Sequence, residues 1–214
     1  MLTIYAIPVS LYCAKLRILL RHKSLEWEEL SPPGGYGSDE YKKIVPSGNL
    51  PALIDKDLLL ADSEAIAEYL NEKYPEPAML PDDLTGRAKI RERARFHDTR
   101  LEPALRQLFS LIPKAARDDA RLRAGGEVLS RHLKTLARLL ETAPLSRDAL
   151  WLGDIGFAIS VEWIAALEQA IGLPVNWPDA IRTYREDLRR HAAVDAELSE
   201  YLPRLLGYLA KATE

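Results

Sequence analysis

The sequence predicts an α/β domain with elements in the order βαβ-αββα, followed by an all-α domain that folds as a helical bundle. Three observations carry this. Up to about residue 76, short apolar runs rich in β-formers alternate with stretches whose apolar residues recur at intervals of three and four. From residue 87 onward only the helical spacing is found. Between the two, Pro75 to Gly86 (PEPAMLPDDLTG) holds three prolines and no periodicity, the composition of a linker. The expected boundaries are therefore 1–76, 77–86 and 87–214.

The elements follow in order. LTIYAI (Leu2 to Ile7) is a buried strand stopped by Pro8. Ser10 stands where an N-cap belongs, and Tyr12 or Cys13, Leu16, and Leu19 or Leu20 give the next helix its apolar face, with Lys15, Arg21 and His22 for its wet side. LEWEEL alternates as a second strand. SDEYKKIV opens with Ser38 three residues before Tyr41, carries Asp39 and Glu40 in its first turn, and halts before Pro46, so it reads as a short helix. PALID and LLLA, joined by Lys56 and Asp57, form a hairpin. DSEAIAEYLNEKYP is a helix capped by Asp62 and ended by Pro75.

Beyond the linker, Ala88 to Leu111 and Arg121 to Leu140 each keep the helical spacing for about twenty positions. Ile159 to Ile171 is the most apolar stretch and is expected to be the central buried helix. NWPDAIRTYREDLRRH and DAELSEYLPRLLGYLAK supply two more.

Composition narrows the function. With 214 residues, 47% hydrophobic and 29% charged, the chain can bury a sizeable core and lacks the signature of disorder. A net charge of −3, with Lys and Arg scattered, offers no field for phosphate backbones, so nucleic acid is not an expected partner. One cysteine forbids an internal disulfide and suits a reducing, cytoplasmic setting. No signal peptide or membrane-spanning run is expected. His22, His97, His132 and His191 have no metal-ligand spacing, and no Gly-rich phosphate loop or nucleophile elbow occurs, so no metal is expected.

Three motifs carry a family resemblance. Ser10-Leu11-Tyr12-Cys13-Ala14-Lys15-Leu16-Arg17-Ile18 is similar to a strand-to-helix stretch of Ser-Pro-aromatic-Ser/Cys-x-Lys/Arg-hydrophobic-Arg-hydrophobic. VPSGNLPALID (Val45 to Asp55) is similar to Asn-Pro-x-Gly-Lys-Val-Pro-x-Leu, and LADSEAIAEYLNEKYP to a Glu/Gln-Ser-x-Ala-Ile-x-x-Tyr-Leu helix start. In this order and spacing the chain resembles the cytosolic glutathione transferases, which join a thioredoxin-like domain to an all-helical one. The resemblance covers essentially the whole chain and is most specific in the first 80 residues.

That resemblance implies glutathione as co-substrate, a small hydrophobic electrophile as second substrate, and a homodimer. It assigns the γ-glutamyl end of glutathione to Asp62 and Ser63, the cysteinyl backbone to Leu50 beside a cis Pro51, and the glycyl carboxylate to Asn49. Helix-start amides and the positive dipole end suit the first assignment, and pairing of the tripeptide as an extra strand suits the second. It also implies that the helical domain supplies an electrophile pocket, with Phe96, His97 and Arg100 as contributors and Tyr12 as a wall.

The thiol of glutathione has a free pKa near ~8.5, so activation means stabilising its anion. Ser10, at a helix N-terminus, can donate a hydrogen bond to sulfur without itself becoming charged. Cys13 is the alternative: it matches the second residue of a C-x-x-C motif whose first residue is here Ser10, and one turn into the helix it points toward the protein body. Tyr5, in the first strand, is a third candidate. Two departures from the family stand out: no Ser/Thr-x-x-Asp cap at Ala158-Ile159-Ser160-Val161, with Ser160 or Asp154 left as caps, and RRHAAV in place of Arg-Pro-x-Val. Conjugation is the expected reaction. A glutathione-dependent isomerase of the zeta kind, to which the SPPGGYGS loop is similar, or a dehalogenase, is one alternative; a non-catalytic binding module of the same fold is another.

Overall fold

The computed structural model describes residues 1–146 and 148–213. Strands β1 (Leu2–Tyr5), β2 (Trp27–Leu30), β3 (Ala52–Asp55) and β4 (Leu58–Ala61) form one sheet in the order β2-β1-β3-β4. β1 and β2 run parallel, with Leu2 opposite Trp27, which requires a crossover; helix α1 (Leu11–His22) provides it. The other two pairings are antiparallel, with Tyr5 opposite Ala52 and Asp55 opposite Leu58. Lys56 takes a positive φ of 56° to turn the β3-β4 hairpin.

Local chemistry explains the helix starts. Ser10 Oγ accepts from the Cys13 N–H at 3.3 Å at the start of α1, and Ser38 Oγ from the Tyr41 N–H at 3.0 Å at the start of α2 (Asp39–Lys42). Asp62 Oδ1 accepts from Glu64 and Ala65 N–H at 3.0 and 3.1 Å at the start of α3 (Ser63–Lys73). Each satisfies donors that a helix end otherwise leaves unpaired.

The rest is helical: α4 (Leu84–Phe96), α5 (Glu102–Gln107), α6 (Asp119–Thr142), α7 (Leu152–Ile171), α8 (Asp179–Leu188) and α9 (Ala192–Ala212). α7 is buried along most of its length and packs on α1, α4 and α9, so it ties the sheet side to the bundle. Polar anchors join the same two parts. Arg17 Nε and Arg21 Nε donate to the two oxygens of Glu197 at 2.7 and 3.1 Å, and the Leu152 N–H donates to the Met79 carbonyl at 2.9 Å.

Three expectations are corrected. The pattern over 88–111 is not one helix. α4 already starts at Leu84, where Asp83 accepts from the Gly86 N–H, then yields to a π-helical turn at His97–Leu101, to α5, and to a 3-10 turn at Leu108–Leu111. Pro103 explains the interruption: it has no N–H to continue the ladder, and an extra residue in one turn accommodates the gap. The buried helix starts at Leu152 rather than Ile159, because Asp154 supplies the acidic half of a cap, accepting from the Trp151 N–H at 3.3 Å. Lys15 is not on a wet face of α1; it is 1% exposed.

Candidate functional site

A cavity of about 640 Å³ opens where the end of β1, the start of α1 and the start of α3 meet α4, α5, α7 and α9. Ser10 lines it, following the turn at Pro8 and Val9 that ends β1. Its oxygen accepts from the Cys13 N–H and stands beside the positive end of a helix with no acid in its first turn. Cys13 does not line the cavity. It is fully buried, and burial pushes its thiol up despite the opposing hydrogen bond with Ser10 and the Arg17 charge. Tyr5 is also buried, edge-on to Tyr41.

Asn49, Leu50, Asp62 and Ser63 lie on the cavity wall, whereas Pro51 does not line it. The Leu50-Pro51 bond is cis, and among the described residues neither the N–H nor the C=O of Leu50 has a hydrogen-bond partner. Asn49 is exposed, its carbonyl accepting from the Tyr41 hydroxyl at 2.9 Å. Asp62 holds φ at +88°, a conformation that costs a non-glycine residue on the order of 1–3 kcal/mol and that recurs at functional sites.

Beneath Ser63 lies a charge cluster. The Lys15 ammonium donates to Glu64 Oε2 at 2.7 Å, to Asp98 Oδ2 at 3.0 Å and to Ser63 Oγ at 3.3 Å. Since Lys15 donates to Ser63, the Ser63 hydroxyl proton is turned to other acceptors. Asp98, which lines the cavity, also meets His97 Nδ1 at 2.7 Å, and His97 Nε2 lies 2.7 Å from Ser160 Oγ. This Asp-His-Ser chain has the form of a nucleophile triad, but Ser160 is wholly buried, so no substrate reaches it. The His97 ring fits there because residue 156 is glycine: a Cβ would lie 2.6 Å from the ring.

Burial alone raises the Asp98 carboxyl, but the hydrogen bond to His97 and the Lys15 ammonium outweigh it and bring the pKa down to about 2. A carboxylate whose folded pKa is depressed adds stability above its unfolded pKa, near ~4, and loses it as pH falls toward the folded value. Between pH 4 and 2 this one group is expected to remove roughly 2 kcal/mol. Urea titrations across that range measure the loss, which an Asp98→Asn variant lacks.

The opposite wall is aromatic. Phe109 stacks on Trp163 with centroids 4.5 Å apart, and Trp163 meets Tyr208 edge-on at 6.2 Å. Trp163 Nε1 donates to the Tyr201 hydroxyl at 2.7 Å, which donates to the Val9 carbonyl at 2.9 Å, so this wall hangs from the loop that carries Ser10. Tyr12 lines the cavity and donates to Glu102 Oε2 at 3.0 Å; burial and Glu102 push its phenol up, and it stays protonated.

Phe96, His97 and Arg100, expected in the electrophile pocket, do not line the cavity. Phe96 stacks on Phe157, His97 is 1% exposed, and Arg100 is exposed to solvent. Arg95 and Asp98, which flank Phe96 and His97 in sequence, take that place, followed beyond the π-helical turn by Arg106 and Phe109. The spacing of three within each pair was the available signal. Nothing local marks Trp163 or Tyr208. Among the described residues no group of three or more His, Cys, Asp and Glu is placed to hold a metal, and no helix is long and apolar enough to cross a membrane.

Comparison with known proteins finds relatives of the amino-terminal domain and of the whole fold. The family model for the glutathione S-transferase N-terminal domain matches residues 4–78. Glutathione S-transferase Z1 of Arabidopsis thaliana is 46% identical over 80 residues, a stretch that spans only 36% of this chain and 36% of that protein. A stringent starvation protein A homolog of Histophilus somni is 26% identical over 210 residues, covering 96% of this chain and 93% of its own. A holo structure of maleyl pyruvate isomerase, a bacterial zeta-class glutathione S-transferase, superposes with a TM-score of 0.73 at 27% identity, over 91% of this chain and 95% of that one.

Proposed function

Because this chain is a member of the cytosolic glutathione S-transferase family, we propose that it binds glutathione in the cavity and activates its thiol with Ser10 for attack on an electrophilic small molecule. The observation that carries the assignment is the contrast between Ser10, which lines the cavity at the start of α1, and Cys13, which is buried away from it and raised in pKa.

The tripeptide lies with its γ-glutamyl end against Asp62 and Ser63, its cysteinyl backbone on the unpaired groups of Leu50, and its glycyl carboxylate near Asn49. The Ser10 hydroxyl donates to the sulfur and favours the thiolate. The sulfur lone pair then forms the C–S bond while the leaving group departs with its electrons. Catalysis is positioning plus a lowered thiol pKa. Residues 1–76 act as the glutathione-binding unit and 87–214, after the 77–86 linker, as the unit that completes the second-substrate pocket. The protein works as a cytoplasmic homodimer.

A second reading uses the same thiolate for cis-trans isomerisation; its support is the match to the zeta-class maleyl pyruvate isomerase over 91% of the chain. The non-catalytic alternative draws on the full-length match to the stringent starvation protein A homolog. Calorimetry with glutathione and turnover of a chloronitroarene separate them. Binding with conjugation supports the proposal, binding without conjugation favours isomerisation, and no binding at millimolar glutathione ends both and leaves the non-catalytic module. Cys13→Ala is expected to keep conjugating activity within about twofold and to cost about 1 kcal/mol of stability, measured by steady-state rates and denaturant melts.

A further inference from the structure

We infer that the electrophile this site selects is an aromatic compound bearing an anionic group, held by Arg106 with Arg95 at the cavity wall. The inference rests on the glutathione-binding reading above and names the second substrate's class.

Two features meet at one place. Phe109, backed by the buried Trp163, and the exposed Tyr208 offer an apolar aromatic surface to an aryl ring. The Arg106 guanidinium lies 5.8 Å from the Phe109 centroid and 5.7 Å from that of Tyr12, so its charge stands at the border of that surface. Its side chain remains half exposed.

The acids around it are already engaged. Glu102 takes Arg106 Nη2 and the Tyr12 hydroxyl, Asp98 is held by Lys15 and His97, and Asp62 caps α3. Among the described residues, Arg106 Nε and Nη1 make no hydrogen bond, and Arg95, also on the cavity wall, has no ion-pair partner. Two guanidinium groups with donors to spare, beside an aromatic stack, match a carboxylate on an aryl ring better than a neutral arene. In the reaction the thiolate sulfur bonds to the ring carbon and the halide leaves with the bonding pair, while the carboxylate is unchanged.

The test uses two reaction products as probes, so that it does not depend on turnover. S-(para-carboxy-ortho-nitrophenyl)glutathione and the same conjugate with a para-carboxamide are titrated into the full chain by calorimetry. The acid is expected to bind about tenfold tighter at low salt. Arg106→Gln removes that preference, Arg95→Gln reduces it, and Arg106→Lys restores part of it. Equal affinity for acid and amide overturns the inference. So does an Arg106→Gln variant that weakens both probes alike, because that is the result of a guanidinium that only holds Glu102. If neither conjugate binds, the glutathione site itself falls, an outcome distinct from loss of discrimination.

Discussion

Ser10→Ala is expected to lower kcat/KM for glutathione conjugation by about a hundredfold or more, the usual consequence of removing one hydrogen bond donated to a reacting anion. The same change removes an N-cap and costs about 1 kcal/mol of stability, too little to unfold the chain. The two effects separate by pH. In the variant the bound thiol returns toward its free pKa near ~8.5, so activity rises about tenfold per pH unit below that value. The native enzyme reaches its plateau at lower pH, and the gap between the two closes as pH rises through the free thiol's range. Thiolate absorbance of the glutathione complex, titrated in both proteins, measures the shift directly. Equal titration curves would remove Ser10 from the chemistry.

Lys15→Met is expected to destabilise the fold by about 3–5 kcal/mol, because it leaves Glu64 and Asp98 facing each other in the interior without their cation. For a chain of this length that corresponds to a fall in Tm of roughly 6–20 °C. Burial works against the Lys15 charge, but Glu64 and Asp98 more than offset it, so its pKa is raised. A cation with a raised folded pKa adds stability at all lower pH and loses it only as pH rises through that value. The deficit of Lys15→Met is therefore present throughout the neutral range. Adding Glu64→Gln and Asp98→Asn to Lys15→Met is expected to recover most of the loss, since a neutral set demands no counter-charge. Thermal and urea melts of the two variants decide it; a deficit below about 1 kcal/mol in Lys15→Met would mean the cluster is solvated.

The amino-terminal half was legible because its signals are local. Ser10, Ser38 and Asp62 each cap the helix that follows by accepting from an N–H two or three residues downstream, and Lys56 and Asp57 turn a hairpin between adjacent strands. What stayed hidden depends on distance along the chain. Lys15 looks like any lysine on an amphipathic helix, and only the fold brings Ser63, Glu64 and Asp98 to it, 48, 49 and 83 residues away. The cavity face of α4 was misplaced because helical spacing alone does not say which stripe looks inward, and Arg95 and Asp98 line the cavity where Phe96 and His97 were expected. α7 was expected seven residues late because its cap places tryptophan, not serine or threonine, before the acid. Trp163 and Tyr208 belong to apolar stripes that spacing alone cannot divide between core and cavity.

The hydrogen bonds that run from Trp163 through Tyr201 to Val9 have an evolutionary consequence. A replacement that reshapes the aromatic surface also tugs on the backbone just before Ser10, the serine proposed to activate the thiol. On the proposed function, breadth of substrates and reactivity toward them would thus be inherited together, and a lineage that retunes one would have to re-adjust the other.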